Sequence, residues 1–174
     1  MVEGEARGSV ATAAHNGSQP EFVDLYGALP GAMEALQALE AAIAAGPLDR
    51  QIFELVKMRA SQINSCAFCL DMHYKDARSE GETEERLYML NAWREATLYS
   101  EQERAALAMT EQVTLISQGH VPPEVEAEAR RVFSAGEYAA LVFAIVAINS
   151  WNRLAITSHA PSGHYKPAKQ TRNN

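Results

Sequence analysis

The stretch Glu54-Leu-Val-Lys57-Met-Arg59-Ala-Ser61-Gln-Ile63-Asn64-Ser65-Cys66-Ala-Phe68-Cys69-Leu-Asp-Met-His73 decides how this 174-residue chain is read. Asp49 can cap a helix just ahead of it, and Ile52, Leu55, Val56 and Ile63 recur at the period of one buried helical face. Asn64-Ser65 breaks that period. Their short polar side chains suit the cap of a second helix, running from Cys66 to about Arg78. The local reading is a helix-turn-helix that carries both cysteines of the chain in the first turns of its second arm.

Outward from this hairpin the chain reads as all-α. Strand signals are nearly absent, with no Asn-Gly or Asp-Gly turn between β-branched runs. Upstream, Gly31 to Ala45 is rich in Ala, Leu and Met and stops at Gly46-Pro47. Downstream, Glu80-Gly81 breaks the cysteine helix, and Thr83 caps a short one to about Asn91. Ser100 with Glu103 predicts a capping box for a helix to about Ser117, which Gly119 ends. Pro122-Pro123 opens the next, to Phe133. Ser134 with Glu137 predicts a second capping box and a helix to about Ser158. Its stretch Ala139 to Ile148 is apolar all round, which predicts burial on every side, part of it under a second subunit. Residues 21–159 therefore read as one compact helical bundle. Residues 1–20 lack periodicity and read as a disordered segment, and 160–174 as a polar tail or a piece that docks on a partner subunit.

The bulk composition narrows the function. The 47% hydrophobic share is ordinary for a globular protein, and the net charge of -7 argues against nucleic acid and anionic membranes as partners. Met1 to Pro20 has no apolar signal core, and Ala139 to Ile148 is ten residues, half of the ~20 that a membrane span needs. A cytoplasmic location is expected, where cysteines are kept for reactivity or metal binding rather than stapling.

Cys66 and Cys69 at C-x-x-C spacing read as a pair that can close and open a local disulfide. A thiol attacks only as its anion. The helix N-terminus, the second sulfur and His73 are each expected to lower the thiol pKa or take the proton. On a helix Cys66 and His73 lie about 60° and 40° from Cys69, and Asp76 about 20° away on the other side. Asp76 and Glu54 are the carboxylates that could orient His73. Asp76 also reads as a surface residue, and Glu54 by composition alone as a solvated charge. A fold-back at Asn64-Ser65 would let Glu54 point at His73 from the preceding helix.

The Glu54-to-His73 stretch resembles the core motif of the AhpD-like alkylhydroperoxidases of the carboxymuconolactone decarboxylase superfamily: Glu, eleven residues, Cys-x-x-Cys, three residues, His. Similarity extends from about Phe22 to His159, including Asn91-Ala-Trp93-Arg-Glu and Asn149 to Arg153. The resemblance implies an all-α bundle of the AhpD-like type, a homo-oligomer (trimer or hexamer) and thiol-dependent reduction of a hydroperoxide. It implies Glu54 and His73 as a proton relay, Cys69 as the attacking thiol and Cys66 as the resolving one. The helix-end argument by itself favours Cys66 as attacker. The resemblance also implies an external dithiol reductant, either a lipoyl-bearing or a thioredoxin-like protein. No cofactor or metal is expected. Phe68 stands where better-studied members have a His, which shortens the relay.

Other readings stay open at this level: a cofactor-free decarboxylase acting on a lactone, a non-enzymatic redox sensor, or a zinc-holding protein using Cys66, Cys69, His73 and Glu54. Arg59, at the centre of the apolar stripe, either snorkels or meets a buried carboxylate. Trp93 and Trp151 read as core or interface anchors, and Asn152-Arg153 as helix-end or subunit contacts. His15, His120, His159 and His164 fall on predicted loops and tails.

Overall fold

Capping side chains and prolines set where most helices begin. Asp49 accepts from the N–H groups of Gln51 and Ile52 at 2.8 and 3.2 Å, and Thr83 accepts from that of Arg86. Ser100 with Glu103, and Ser134 with Glu137, form both expected capping boxes. Pro30 and Pro123 sit in first turns, where a missing N–H costs no hydrogen bond. The computed structural model describes residues 23–167. Among them the elements are α1 (Leu25–Ala28), α2 (Pro30–Ala44), α3 (Arg50–Ile63), α4 (Ala67–Ser79), α5 (Glu84–Met89), α6 (Glu101–Thr114), α7 (Pro123–Val132) and α8 (Ala135–Thr157). Two 3-10 turns, Leu90–Ala92 and Ile116–Gln118, carry α5 and α6 toward their expected ends, and no strand is present among the described residues. The expected N-terminal segment 1–20 lies outside them.

α3 is the central element, packed against α4, α6 and α8. The single apolar stripe expected of it is too narrow, because every residue from Ile52 to Met58 is buried. Ile52, Phe53 and Val56 join α6, α7 and α8 in one core cluster. Leu55 and Met58 join Leu87, Leu90, Trp93 and Leu107 in another. A helix enclosed by three neighbours has almost no solvent face, so periodicity understates its burial. Arg59 does meet a buried carboxylate: it donates to Glu111 at 2.9 and 2.7 Å.

α8 is covered by its own chain over only part of its surface. Its apolar length packs against α2, α3, α4, α6 and α7, burying Leu141, Ala144, Ile145 and Ile148. By length and composition it could cross a membrane, yet nearly half of that window is buried by its neighbours. Within the chain Phe143 is 54% and Val146 45% exposed, on the stretch expected to lie partly under a second subunit.

The turn between α3 and α4 departs from a second expectation. Neither Asn64 nor Ser65 caps α4; its N-cap is Cys66, without a side-chain cap bond. Ser65 instead takes φ 56°, a left-handed step that reverses the chain, while Cys66 N–H donates to Ser61 C=O at 3.0 Å. Beyond α8 the chain returns onto α4. The Gly163 and Tyr165 N–H groups donate to Asp71, and the Tyr165 hydroxyl donates to Asp76 at 2.8 Å.

Candidate functional site

The reversal at Ser65 lays the first two turns of α4 against the C-terminal half of α3 and against α8. Cys66 and Cys69 project from one face of α4 with their sulfurs 2.7 Å apart, both as free thiols. Ala155 of α8 packs on the pair, with Phe68 and Ala160 alongside. Each cysteine is only 1% exposed.

One turn further along α4, His73 meets α3. Its Nδ1 lies 3.3 Å from Glu54 Oε2, and both side chains are buried. The two atoms approach off the hydrogen-bond axis, and neither has a hydrogen-bond partner elsewhere among the described residues. The other oxygen of Glu54 is occupied, by Lys57 Nζ at 3.2 Å and Arg50 at 3.1 Å. Lys57 also donates to Glu40 at 3.0 Å and stands 4.0 Å over the Phe53 ring. Burial pushes the Glu54 carboxyl upward, but the contact with His73 and the charges of Lys57, His73 and Arg50 outweigh it and hold the pKa at about 2. Glu54 is thus a buried anion rather than a solvated charge. Asp76, the other candidate orienter, is half-buried and taken by the Tyr165 hydroxyl.

The expected lowering of the thiol pKa is reversed at Cys69. Burial pushes it up to about 12, the bond to Cys66 adds to the rise, and only the Asn152 side chain and its own backbone pull the other way. Desolvation of the anion therefore exceeds the help from one helix end.

A cavity of about 700 Å³ opens beside the pair. Leu25, Tyr26, Phe68, Met72, Trp151 and Pro161 give it apolar walls, and His73, Lys57 and Asp76 are among its polar points, with Asp24, Gln37, Glu40 and Ser158. Phe68 and Ala160 line it while also packing on the cysteines, so they form the partition between cavity and sulfur. Trp151 serves as wall rather than core, whereas Trp93 is a core anchor whose indole N–H donates to Glu111 at 2.8 Å. Tyr26 shares a hydrogen bond with Ser158, and its pKa is raised by burial and by the nearness of Cys69 and Cys66.

Asn152 was expected at a helix end or a subunit contact, but it lies five residues inside α8 and is fully buried, and Asn149, Lys57 and Tyr26 went unread. Behind the sulfurs a layer of amides joins α3 to α8. Asn64 Nδ2 donates to both Asn149 Oδ1 and Asn152 Oδ1, at 2.9 and 2.8 Å, and Asn152 Nδ2 donates to Ser61 Oγ at 3.0 Å. The available signal was two asparagines one turn apart in an otherwise apolar helix. Buried amides persist there only with partners. Lys57 and Tyr26 carried no signal of their own. Among the described residues no three His, Cys, Asp or Glu side chains converge as a metal-holding group.

Comparisons with known proteins accord with this geometry. The sequence pattern of the Carboxymuconolactone decarboxylase family matches residues 30–112, which include Glu54, both cysteines and His73. YdfG of Bacillus subtilis, itself uncharacterized, is 43% identical over 134 residues, spanning 77% of this chain and 91% of YdfG. A crystal structure from Agrobacterium tumefaciens, of a protein of unknown function suggested to be the antioxidant defence protein AhpD, superposes with a TM-score of 0.78 at 37% identity. That match covers 82% of this chain and 98% of the other. An uncharacterized peroxidase-related protein with an alkylhydroperoxidase AhpD core, from Ralstonia eutropha, shares the fold alone: TM-score 0.67 at 18% identity, over 80% and 74% of the two chains.

Proposed function

The chain belongs to the carboxymuconolactone decarboxylase family, and on that footing we propose that it is a thiol peroxidase that reduces organic hydroperoxides through Cys66 and Cys69. The observation that carries this reading is the two thiols in contact, one turn from a histidine that meets a buried carboxylate. Burial keeps the Cys69 thiol protonated at neutral pH. The proton must therefore leave during attack, to a base held ready. His73 is that base. The Glu54 anion balances the imidazolium that forms.

The Cys69 sulfur attacks the terminal peroxide oxygen, the O–O bond breaks, and the proton carried by His73 passes to the departing alkoxide, which leaves as an alcohol. Cys69 is then a sulfenic acid. The Cys66 thiol condenses with it, releasing water and forming the disulfide. An external dithiol, lipoyl-bearing or thioredoxin-like, reduces that disulfide and is itself oxidised. The apolar cavity favours an alkyl or aryl hydroperoxide over hydrogen peroxide. The exposed Phe143 and Val146 on α8 are the surface through which copies of the chain would associate.

Titration with one equivalent of cumene hydroperoxide tests the reading. Both thiols should disappear together, Cys66→Ser should trap a sulfenic acid on Cys69, and an excess of dithiol should give repeated turnover. Oxidation that stops after one round identifies a redox sensor instead. Lactone decarboxylation that survives loss of both cysteines identifies the other branch of the family.

A further inference from the structure

We propose that the side-chain amide of Asn152 is the hydrogen-bond donor that stabilises the anionic sulfur of Cys69, and that its orientation is imposed by a chain of amides running back to the backbone of α8. This rests on the reading of Cys69 as the reacting thiol.

The argument begins at a group that cannot turn. The Ile145 carbonyl can only accept, and Asn149 Nδ2 donates to it at 2.9 Å. The Asn149 oxygen must then face the other way, where Arg153, which can only donate, meets it at 2.9 Å. Asn64 faces the same oxygen and so presents its NH2 group, at 2.9 Å. The second hydrogen of that group points to Asn152 at 2.8 Å, so Asn152 presents its oxygen to Asn64. The Asn152 NH2 group is thereby turned toward α3 and α4. One of its hydrogens goes to Ser61 Oγ at 3.0 Å, which leaves the other for the neighbouring Cys69 thiol, whose pKa this amide lowers.

Asn152 is fully buried, and it lies one turn before Ala155 on the face of α8 that packs against both cysteines. A flipped amide there would bring its oxygen to the sulfur and repel an anion, so the orientation has a chemical consequence. The titratable groups that act on the sulfur are Cys66 and, on α1, Tyr26, while α8 meets it with Asn152 and Ala155. Each titratable neighbour is a thiol or a phenol. The neutral amide is thus the side chain that opposes the cost of burying the charge.

The test is the rate at which iodoacetamide alkylates Cys69 in the full chain, across neutral to mildly alkaline pH, in a Cys66→Ser background. Asn152→Leu and the isosteric Asn152→Asp should each slow alkylation at least about tenfold at every pH, one unit of apparent pKa. Ser61→Ala, which leaves the donor to sulfur intact, should stay within about twofold. A purely structural role moves the rate the opposite way, because loosened packing exposes the sulfur. Either Asn152 variant alkylating as fast as the Cys66→Ser parent, with native circular dichroism, overturns the proposal. Alkylation needs no peroxide. Slow alkylation without peroxide turnover sinks the peroxidase reading alone, whereas peroxide turnover with fast alkylation of the variants sinks this inference alone.

Discussion

Two buried carboxylates, Glu111 and Glu54, are treated differently by the fold. Glu111 on α6 is saturated: Arg59 and the Trp93 indole donate to one oxygen, and Arg94 donates to the other. Arg59 reaches on to Gln62 and Asn91, so the cluster clamps α3, α6 and the turn after α5. Glu54 on α3 is half open. Lys57 and Arg50 hold one oxygen, and the other faces His73 without a well-aligned bond. Each carboxyl is held below its ordinary value of 4.5 against the upward push of burial. A fully satisfied anion holds structure in place, whereas one with a spare acceptor can answer a proton arriving on its neighbour.

The largest effect that would break this contrast is on stability. Glu111→Ala should cost about 3 kcal/mol in chemical denaturation, because it strands Arg59 in a buried site, and turnover per folded molecule should be retained. A large loss of turnover without loss of stability would place Glu111 in the chemistry and end the comparison. Next comes Glu54→Gln. It should lower peroxide turnover about a hundredfold, the loss that Glu111→Ala lacks, while Lys57 keeps Glu40 and Arg50 keeps Glu80. A Glu54→Gln protein with the parent's turnover would make Glu54 a second clamp.

A pH titration sharpens the same point. The folded pKa of Glu54 is depressed to about 2 from 4.5, so its contribution is complete above pH 4.5 and is lost as pH falls toward 2. Glu111 is shifted in the same direction. The thermal midpoint of the parent should therefore fall across that acid range, and in Glu54→Gln it should fall less steeply. The smallest effect concerns access. Phe68→Ala opens the partition between cavity and sulfur, and iodoacetamide should modify the cysteines several times faster with little change in the folded fraction.

Legibility in the sequence followed the range of the interaction. Capping boxes such as Ser100 with Glu103 depend on residues one turn apart, and they were readable. So was the Cys66, Cys69 and His73 face of α4, because helical geometry converts spacing into direction. The turn chemistry at Asn64-Ser65 was misjudged. Asn64 serves a partner 88 positions away rather than its own helix, which no local pattern records. The thiol pKa was misjudged for a related reason: helix-end stabilisation is local, but the depth at which Cys69 lies depends on α8 and on the returning segment at Ala160.

The order of residues by itself determined most of the helices, the starts that carry capping boxes, and the face with two sulfurs and an imidazole, because each of these arises from neighbours within about two turns. Tertiary structure alone decided that Glu54 faces His73, that Glu111 is sealed, and that an amide of α8 reaches the sulfur. Those outcomes depend on which helices share a wall and how much water they expel, and burial is a property of the assembled bundle rather than of any segment in it.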